Sequence, residues 1–290
     1  MIPTINTALV KKLMPHREKD SHKGGNGKLL IVGGSLEYYG APVLSALGAL
    51  YSGVDLVYLY VPECNFDVTR SLFPDFIVRK FSGEYLTKSA VPGIVELARE
   101  CDALLIGPGL GEHEESLDAV REMLLNLKIP AVLDASAMYA LKKIPSFPLP
   151  QPIVVTPHLN EFQKLVDREF PMRDPEALRQ KKMLYLQTIS KELKIHIVLK
   201  GMEDFVTSDM GETFLNTTGN SGMTVGGSGD VLSGFIASLM AQGSDAFAAA
   251  RAATHTFGLV GEKLYKVKGY GYTATDLAKA IPEVMKGFRS

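Results

Sequence analysis

A glycine-rich segment followed directly by an acid is the part of this chain best suited to chemistry. Residues 216–230 read NTTGNSGMTVGGSGD, and an apolar helical pattern begins at Asp230. Glycine lets the backbone approach a ligand closely. The first turn of a helix offers unpaired N–H groups at the positive end of its dipole. We therefore predict a phosphate site here, with an anion hole formed by Gly227, Ser228 and Gly229.

Asp230 has two interpretations. Asp is a preferred N-cap residue, worth about 1 kcal/mol, and a cap alone would explain its position. A carboxylate beside a phosphate site can instead remove a proton from a substrate hydroxyl, which contributes about 10²–10⁴-fold to a rate. The amides would then stabilise the developing charge. The three glycines just ahead of it favour catalysis, because a plain cap needs none of them. We predict that Asp230 is the catalytic base of a phosphoryl transfer.

Two common glycine-rich nucleotide motifs are not supported. The dinucleotide pattern GxGxxG, started at Gly107, requires glycine where Glu112 stands, and started at Gly227 it also fails at its last position. The P-loop pattern fails at Gly27-Lys28, because leucine follows instead of Ser or Thr. A plain NAD-dependent dehydrogenase and a P-loop NTPase are therefore not indicated.

The elements that must position Asp230 alternate between strands and helices. Short β-branched runs are separated by longer segments of helical period, a pattern typical of a parallel sheet flanked by helices. Most runs are apolar throughout, as expected for strands covered on both faces. The predicted strands are Lys28–Val32, Leu56–Val61, Ala103–Ile106, Ala131–Asp134, Ile153–Thr156 and Ile195–Lys200, followed by a hairpin of Phe205–Thr207 and Thr213–Leu215.

Three helices are predicted around the glycine-rich segment and its sheet. They span Gly40–Ser52, Asp230–Gln242 and Ala246 to about Tyr265. The first is rich in Ala, Gly and Leu, which favours close packing on the sheet. The chain contains no repeat and no clear linker, so we predict an α/β fold with one domain over residues 1–290.

Composition narrows the class of protein. The chain has 290 residues, 46% of them hydrophobic, which is ample for a sizeable core. The net charge is -1 without a basic block, so no nucleic-acid partner is expected. Two cysteines are too few for a disulfide framework. The longest weakly polar stretch, Val231–Ser244, is shorter than the roughly 20 apolar residues that span a bilayer. We expect a cytoplasmic enzyme without a membrane partner.

Seven short motifs, in one order over residues 20 to about 265, resemble those of a known family. They are HKGGNGKLLIVGGS (22–35), YYGAPVLSA (38–46), IGPGLG (106–111), TPHLNEF (156–162), VLKG (198–201), TGNSG (218–222) and GGSGD (226–230). The series is similar to that of the ADP/ATP-dependent NAD(P)H-hydrate dehydratases, which are ribokinase-like enzymes related to carbohydrate kinases. The resemblance implies a three-layer fold with a mostly parallel central sheet flanked by helices.

The resemblance also implies a repair reaction. NADH or NADPH that has gained water across a ring double bond would be dehydrated at the expense of a nucleotide. The ring hydroxyl would be deprotonated, phosphorylated and lost as phosphate, which suits a base beside an anion site. ADP, giving AMP and phosphate, is the expected co-substrate, with ATP as the alternative. Mg²⁺, small-molecule substrates and a homo-oligomer are implied as well.

Site residues follow from matching these motifs position by position. The hydrated nicotinamide nucleotide is expected to contact Ala41, Gly109, His158 and Asp230. The adenine nucleotide is expected to contact Lys200, Gly201, Met202, Glu203, Asp204 and Gly229. Glu161, in an element similar to the family's N-x-x-E with His158 in the Asn place, would organise Mg²⁺ through water.

Several of these residues also have a plainer interpretation. Ala41 suits helix packing, and Gly109 suits a turn after a proline. His158 is a loop histidine, Lys200 can simply close a strand, and Glu161 is an ordinary acid of a first helical turn.

Some positions differ from the family's usual residues. Ser228 replaces Thr, which is a mild change if the backbone N–H is the working group. Ser136 replaces an acid while Asp134 remains, Asn160 replaces a glycine, and Gly25-Asn26 replaces Asp-Phe. These differences bear on fine substrate preference more than on the reaction.

Two rival functions remain open at this point. A ribokinase-like kinase that phosphorylates a small alcohol would use the same base and anion site, and fold alone does not separate the two. A kinase would leave a stable phosphoester, whereas the dehydratase would release phosphate and restore NADH absorbance. A non-catalytic nucleotide-binding regulator is disfavoured, because binding alone does not require Asp230.

Overall fold

A nine-stranded sheet forms the centre of the protein. The computed structural model describes residues 2–167 and 175–288, and for 175–178 only the backbone. The strands are β1 (Lys28–Val32), β2 (Leu56–Pro62), β3 (Phe76–Phe81), β4 (Ala103–Ile106), β5 (Ala131–Leu133), β6 (Ile153–Val155), β7 (His196–Leu199), β8 (Asp204–Thr207) and β9 (Thr213–Asn216). Their spatial order is β3-β2-β1-β4-β5-β6-β7-β8-β9.

The sheet is parallel from β3 to β7, whereas β8 pairs antiparallel with both β7 and β9. The chain moves outward from β1 to β3 and then returns to place β4 on the other side of β1. Such a reversal leaves a crevice at the carboxyl ends of the two central strands, where ligands bind in open α/β sheets. The topology therefore places the candidate site beyond the ends of β1 and β4.

Helices cover both faces of the sheet. They are α1 (Thr7–Leu13), α2 (Gly40–Tyr51), α3 (Glu63–Leu72), α4 (Val91–Ala98), α5 (Glu114–Asn126), α6 (Leu159–Val166), α7 (Pro175–Leu193), α8 (Ser228–Ala241), α9 (Ala246–Lys268) and α10 (Ala274–Met285). Alternate residues of the central strands enter two separate cores, for example Leu29 and Ile31 on one side and Leu30 and Val32 on the other. The predicted three-layer α/β architecture is confirmed.

The two cores are built from different helices. Side chains of α2, α8, α9 and α10 form the core on one face of the sheet, whereas α4, α5 and α6 contribute to the core on the other. Leu277 and Ile281 of α10 are fully buried, so the C-terminal segment packs on this protein's own core. No helix in the described part of the chain is long and apolar enough to cross a bilayer.

Helices α2 and α8 pack with their backbones in close contact. A Cβ on Gly234 would stand 1.9 Å from the carbonyl oxygen of Ser45, and a Cβ on Gly48 would stand 2.2 Å from that of Val231. Only glycine allows such an approach. The predicted close packing of the Gly40–Ser52 helix is therefore directed at α8, the helix that carries Asp230.

Two predictions about the elements were incomplete. Strand β3 was missed because Arg79 and Lys80 interrupt its apolar pattern; it is the edge strand, where charged residues are common. Helix α8 was predicted to begin at Asp230 but begins at Ser228, with Gly227 as its N-cap. The cap interpretation of Asp230 was therefore wrong, since Asp230 is the third residue of the helix.

Candidate active site

Ala41 and Gly109, which were predicted to bind substrate, lie against each other at the carboxyl ends of β1 and β4. A Cβ on Gly109 would stand 3.2 Å from the Cβ of Ala41 and 2.6 Å from the carbonyl oxygen of Tyr38. The φ of Gly109 is +72°, a value that side chains rarely adopt. The start of α2 and the turn after β4 therefore pack tightly together, and a side chain at residue 109 would not fit between them.

The first turn of α8 presents free amides. Gly227 has a φ of +88° and accepts the first helical hydrogen bond, from the N–H of Val231 at 3.1 Å. The N–H groups of Gly227, Gly229 and Asp230 donate to no residue in the described part of the chain. The N–H of Ser228 is engaged, because it donates to the carbonyl of Val225 at 3.2 Å. Of the predicted anion hole, Gly227 and Gly229 keep free donors, and Asp230 adds one.

Asp230 is a partly buried carboxylate that is not used for capping. None of the described residues donates a hydrogen bond to its side chain. Burial, together with the negative charges of Asp134 and Glu161, raises the pKa of Asp230 to about 8 against the opposing effect of Lys200. Its carboxyl group is therefore free to accept a proton from a ligand, and its pKa suits a base working near neutral pH.

Lys200 joins the end of β7 to the first turn of α8. Its Nζ lies 3.4 Å from Oδ1 of Asp134 and 3.1 Å from where a Cβ on Gly229 would stand. Burial lowers the pKa of Lys200, but the carboxylates of Asp134, Glu161 and Asp230 outweigh it and hold the pKa above its usual value. The ammonium group therefore stays charged beside the free amides, rather than standing alone in water.

Asp204 stabilises the predicted nucleotide loop, residues 200–204, through hydrogen bonds of its carboxylate. Asp204 accepts hydrogen bonds from the N–H of Gly201 and from Nδ2 of Asn216, both at 3.0 Å. Glu203 forms an ion pair with Arg179, with Nε and Oε2 3.2 Å apart, and Met202 is 98% exposed. Asp204 thus shapes the loop.

A cavity of about 380 Å³ opens beside this loop. Its lining includes Glu203, Arg179, Met183, Leu215 and Thr217. Its lining mixes apolar and polar side chains. The loop predicted to contact the nucleotide therefore borders an open space.

His158 and Glu161 serve as a helix cap. Nδ1 of His158 accepts from the N–H groups of Asn160 and Glu161 at 3.1 and 3.2 Å, and Oε2 of Glu161 accepts from the N–H of His158 at 2.8 Å. This reciprocal arrangement is a capping box at the start of α6. A backbone bridge pairs His158 with Lys200. His158 and Glu161 therefore lie near the site, and they also cap helix α6.

The described residues contain no group of three His, Cys, Asp or Glu side chains spaced to hold a metal directly. Three carboxylates, those of Asp134, Glu161 and Asp230, act on Lys200, and this excess of negative charge suits a divalent cation. Mg²⁺ keeps much of its hydration shell and often binds through one or two carboxylates plus phosphates. These carboxylates are therefore suitable partners for a hydrated Mg²⁺ ion.

Asp134 and Thr156 are two residues of the site that the predicted set omitted. Asp134 follows β5 and Thr156 follows β6, and the Thr156 hydroxyl donates to Oδ1 of Asp134 at 2.7 Å. The available signal was position, because each is a polar residue at the carboxyl end of an apolar parallel strand.

Solved structures of the same architecture place the chain among ribokinase-like proteins. A ribokinase-like superfamily protein from Enterococcus faecalis matches with a TM-score of 0.83 and 26% identity, over 99% of this chain and 96% of that one. An ADP/ATP-dependent NAD(P)H-hydrate dehydratase from Bacillus subtilis, crystallised with ATP and Mg²⁺, matches with a TM-score of 0.85 and 27% identity over 99% of both chains.

The family is defined more closely by sequence. A family model described as NAD(P)H-hydrate dehydratase matches residues 29–283. The ADP-dependent (S)-NAD(P)H-hydrate dehydratase of Nitrosopumilus maritimus is 38% identical over 287 residues, which is 98% of this chain and 97% of that protein. The chain belongs to the NAD(P)H-hydrate dehydratase family, as its ordered motifs predicted.

Proposed function

We propose that this protein restores NADH and NADPH from their hydrated forms in a reaction that consumes ADP and releases AMP and phosphate. The observation that carries the proposal is the arrangement at the first turn of α8. There a proton-accepting carboxylate (Asp230), free amides and a lysine ammonium group (Lys200) lie together at one edge of the sheet. Family membership and the ADP-dependent relative support the choice of substrate and donor.

Asp230 has the chemistry required for the first step. Its carboxylate would take the proton of the ring hydroxyl, whose oxygen would then form a bond to the β-phosphorus of ADP as the bond to AMP breaks. With an ordinary pKa the carboxylate would be a weak base. Burial raises the pKa to about 8, so proton transfer from the hydroxyl is more favourable.

The amides and Lys200 have the chemistry required for the migrating phosphoryl group. The free N–H groups of Gly227, Gly229 and Asp230 would donate to its oxygens, and the ammonium group would offset its charge. Mg²⁺, if bound, would be held by Glu161 through water and would offset the charge of the nucleotide's phosphates. Phosphate then leaves with the electrons of the ring C–O bond, and the adjacent carbon loses a proton, which restores the double bond.

The substrate side is assigned to the crevice between β1 and β4. The atoms nearest to Gly109 are the backbone and Cβ of Tyr38 and the methyl group of Ala41, a lining without charge that suits the face of a flat ring. His158, which pairs with Lys200 through a backbone bridge, is assigned to the same substrate. The loop of residues 200–204 and its neighbouring cavity are assigned to the adenine nucleotide.

A homo-oligomer and a cytoplasmic location stay predictions.

The test is an assay of NADH recovery. The protein is incubated with hydrated NADH or hydrated NADPH, Mg²⁺, and either ADP or ATP, and absorbance at the dihydronicotinamide band is followed with release of phosphate and AMP. We expect recovery with ADP and stoichiometric AMP and phosphate. Recovery with ATP alone would correct the donor. A stable phosphoester without recovery would show a kinase, and no reaction with either nucleotide would overturn the proposal.

A further inference from the structure

A buried line of polar contacts runs along the carboxyl ends of three neighbouring strands. Thr156, after β6, is fully buried and donates its hydroxyl to Oδ1 of Asp134, after β5, at 2.7 Å. The same Oδ1 lies 3.4 Å from Nζ of Lys200, after β7. Asp134 itself is 3% exposed. Asp134 therefore contacts both Thr156, after the neighbouring strand, and Lys200, after the strand beyond it.

The end of this line is the first turn of α8. The Lys200 ammonium group stands 3.1 Å from the position of a Cβ on Gly229, next to the free N–H groups. A lysine side chain is long and has high rotamer entropy. Among the described residues, Asp134 is the one whose side chain contacts Nζ. That contact therefore restrains the position of the ammonium group over the turn.

We propose that Asp134, itself oriented by Thr156, is a positioning residue that fixes the Lys200 ammonium group where the transferred phosphoryl group binds. The inference rests on the proposed function for the identity of that group. Asp134 would act through Lys200, without contacting the ring or the leaving nucleotide. Thr156 acts one step further back, since its hydroxyl restrains the carboxylate oxygen that faces the lysine.

An ordinary structural ion pair is the competing explanation. A partly buried lysine beside a buried aspartate could serve stability alone, and removing one partner of such a pair is often strongly destabilising. Asp134→Asn by itself therefore does not separate the two explanations. Substitutions of Thr156 do separate them. Valine keeps nearly the same shape and removes the hydroxyl, whereas serine keeps the hydroxyl.

The experiment compares Thr156→Val with Thr156→Ser, and uses Thr207→Val as the matched control. Thr207 is equally buried, lies in β8, and its hydroxyl contacts Thr213 at 3.1 Å, away from the site. For each variant, kcat and KM are measured for hydrated NADH with ADP and Mg²⁺, together with the melting temperature. A 1 Å displacement of a positioned group can cost about 10²-fold in rate.

The expected result is a fall of about 10- to 10²-fold in kcat for Thr156→Val, recovery to near the wild-type value for Thr156→Ser, and little change for Thr207→Val. KM for hydrated NADH stays nearly constant, because the ring site is separate. Unchanged kcat in Thr156→Val overturns the proposal, and so does an equal loss in Thr156→Ser or in the control.

A second measurement does not depend on the reaction. ADP and AMP binding are compared by calorimetry in the presence of Mg²⁺, because only ADP carries the phosphoryl group that Lys200 would meet. In Thr156→Val and Asp134→Asn the affinity for ADP falls while that for AMP is unchanged. If the wild-type protein fails to restore NADH, the proposed function fails, and the contrast between ADP and AMP still decides this inference. Equal losses for both nucleotides, or none for either, reject it.

Discussion

The ammonium group of Lys200 lies against the backbone of Gly229, so that even a methyl group at residue 229 would stand 3.1 Å from Nζ. Two segments far apart in sequence therefore meet at one point of the site. One is the end of β7, and the other is the first turn of α8. The lack of a side chain at residue 229 is what leaves room for the lysine beside the free amides.

Gly229→Ala should reduce activity without reducing stability. Residue 229 is the second residue of α8, where Ala is favoured over Gly by up to about 1 kcal/mol, but its methyl group displaces Nζ. We expect turnover to fall by about 10-fold or more and the melting temperature to stay equal or rise. The measurements are steady-state kinetics and thermal unfolding.

Gly226→Ala is the matched control for that variant. A Cβ on Gly226 would meet no protein atom within 4 Å, so this variant adds a methyl group to the same segment without displacing Nζ of Lys200, and its activity should fall less than that of Gly229→Ala. Equal losses of activity in both alanine variants would show that loop flexibility, rather than the position of Lys200, explains the glycine.

Asp230→Asn should remove the base while keeping the shape of the helix. We expect turnover to fall by at least about 10²-fold, which corresponds to about 3 kcal/mol of barrier, with ADP binding largely retained. Asp276→Asn is the control, because Asp276 is also the third residue of a helix, α10, where it belongs to a capping box. That control should lose some stability and no activity. Full activity in Asp230→Asn would leave only a binding role.

The raised pKa of Asp230 predicts how stability depends on pH. Its pKa is about 8 in the folded protein against an ordinary value of 3.8, so the folded state binds the proton more tightly. The resulting stabilisation is complete below about pH 3.8 and is lost as pH rises through 8. Ligand-free Asp230→Asn lacks this dependence. Its melting temperature should therefore rise relative to the wild type between pH 5 and pH 9, roughly the span in which the acid ionises.

Differential scanning fluorimetry over that pH series is the measurement. A difference in melting temperature that does not change with pH would mean that Asp230 titrates near its ordinary value. In the assay, the same pKa predicts that kcat/KM for the free enzyme falls on the acid side, since a protonated base is inactive.

Gly234→Ala should destabilise the fold through the contact between α2 and α8. The new Cβ would lie 1.9 Å from the Ser45 carbonyl oxygen, so one helix must move. Overpacking of this kind costs about 1–3 kcal/mol, occasionally more. Gly40→Ala is the control, since a Cβ there meets nothing within 4 Å. Urea denaturation of both variants measures the effect, and an equal free energy of unfolding for the two would contradict the packing argument.

Much of the fold follows from the sequence because the central strands are buried on both faces. Their apolar runs, such as Lys28–Val32 and Ala103–Ile106, gave element bounds that match the structure. The edge strand β3 was not predicted, because its exposure to solvent permits Arg79 and Lys80 in the strand. Local periodicity reports burial, so an element that is not buried leaves a weak pattern.

The site was only partly predictable for a different reason. Asp230 and Gly229 stand out because glycines and an acid are adjacent in sequence. The contact of Asp134 with Thr156 and Lys200 joins the ends of three strands and leaves no local pattern. The capping box of His158 and Glu161 shows the reverse difficulty. Its residues matched a functional motif, and the structure also gives them a local structural task.

The backbone contact between α2 and α8 has a consequence for how this enzyme could change. Gly48 and Gly234 fix the spacing of the helix that carries Ala41 from the helix that carries Asp230. Neither helix can shift to admit a bulkier ring without breaking that contact. New substrates would therefore have to be accommodated by the surrounding loops. The distance between Ala41 and Asp230 would stay constant in any variant that keeps both glycines.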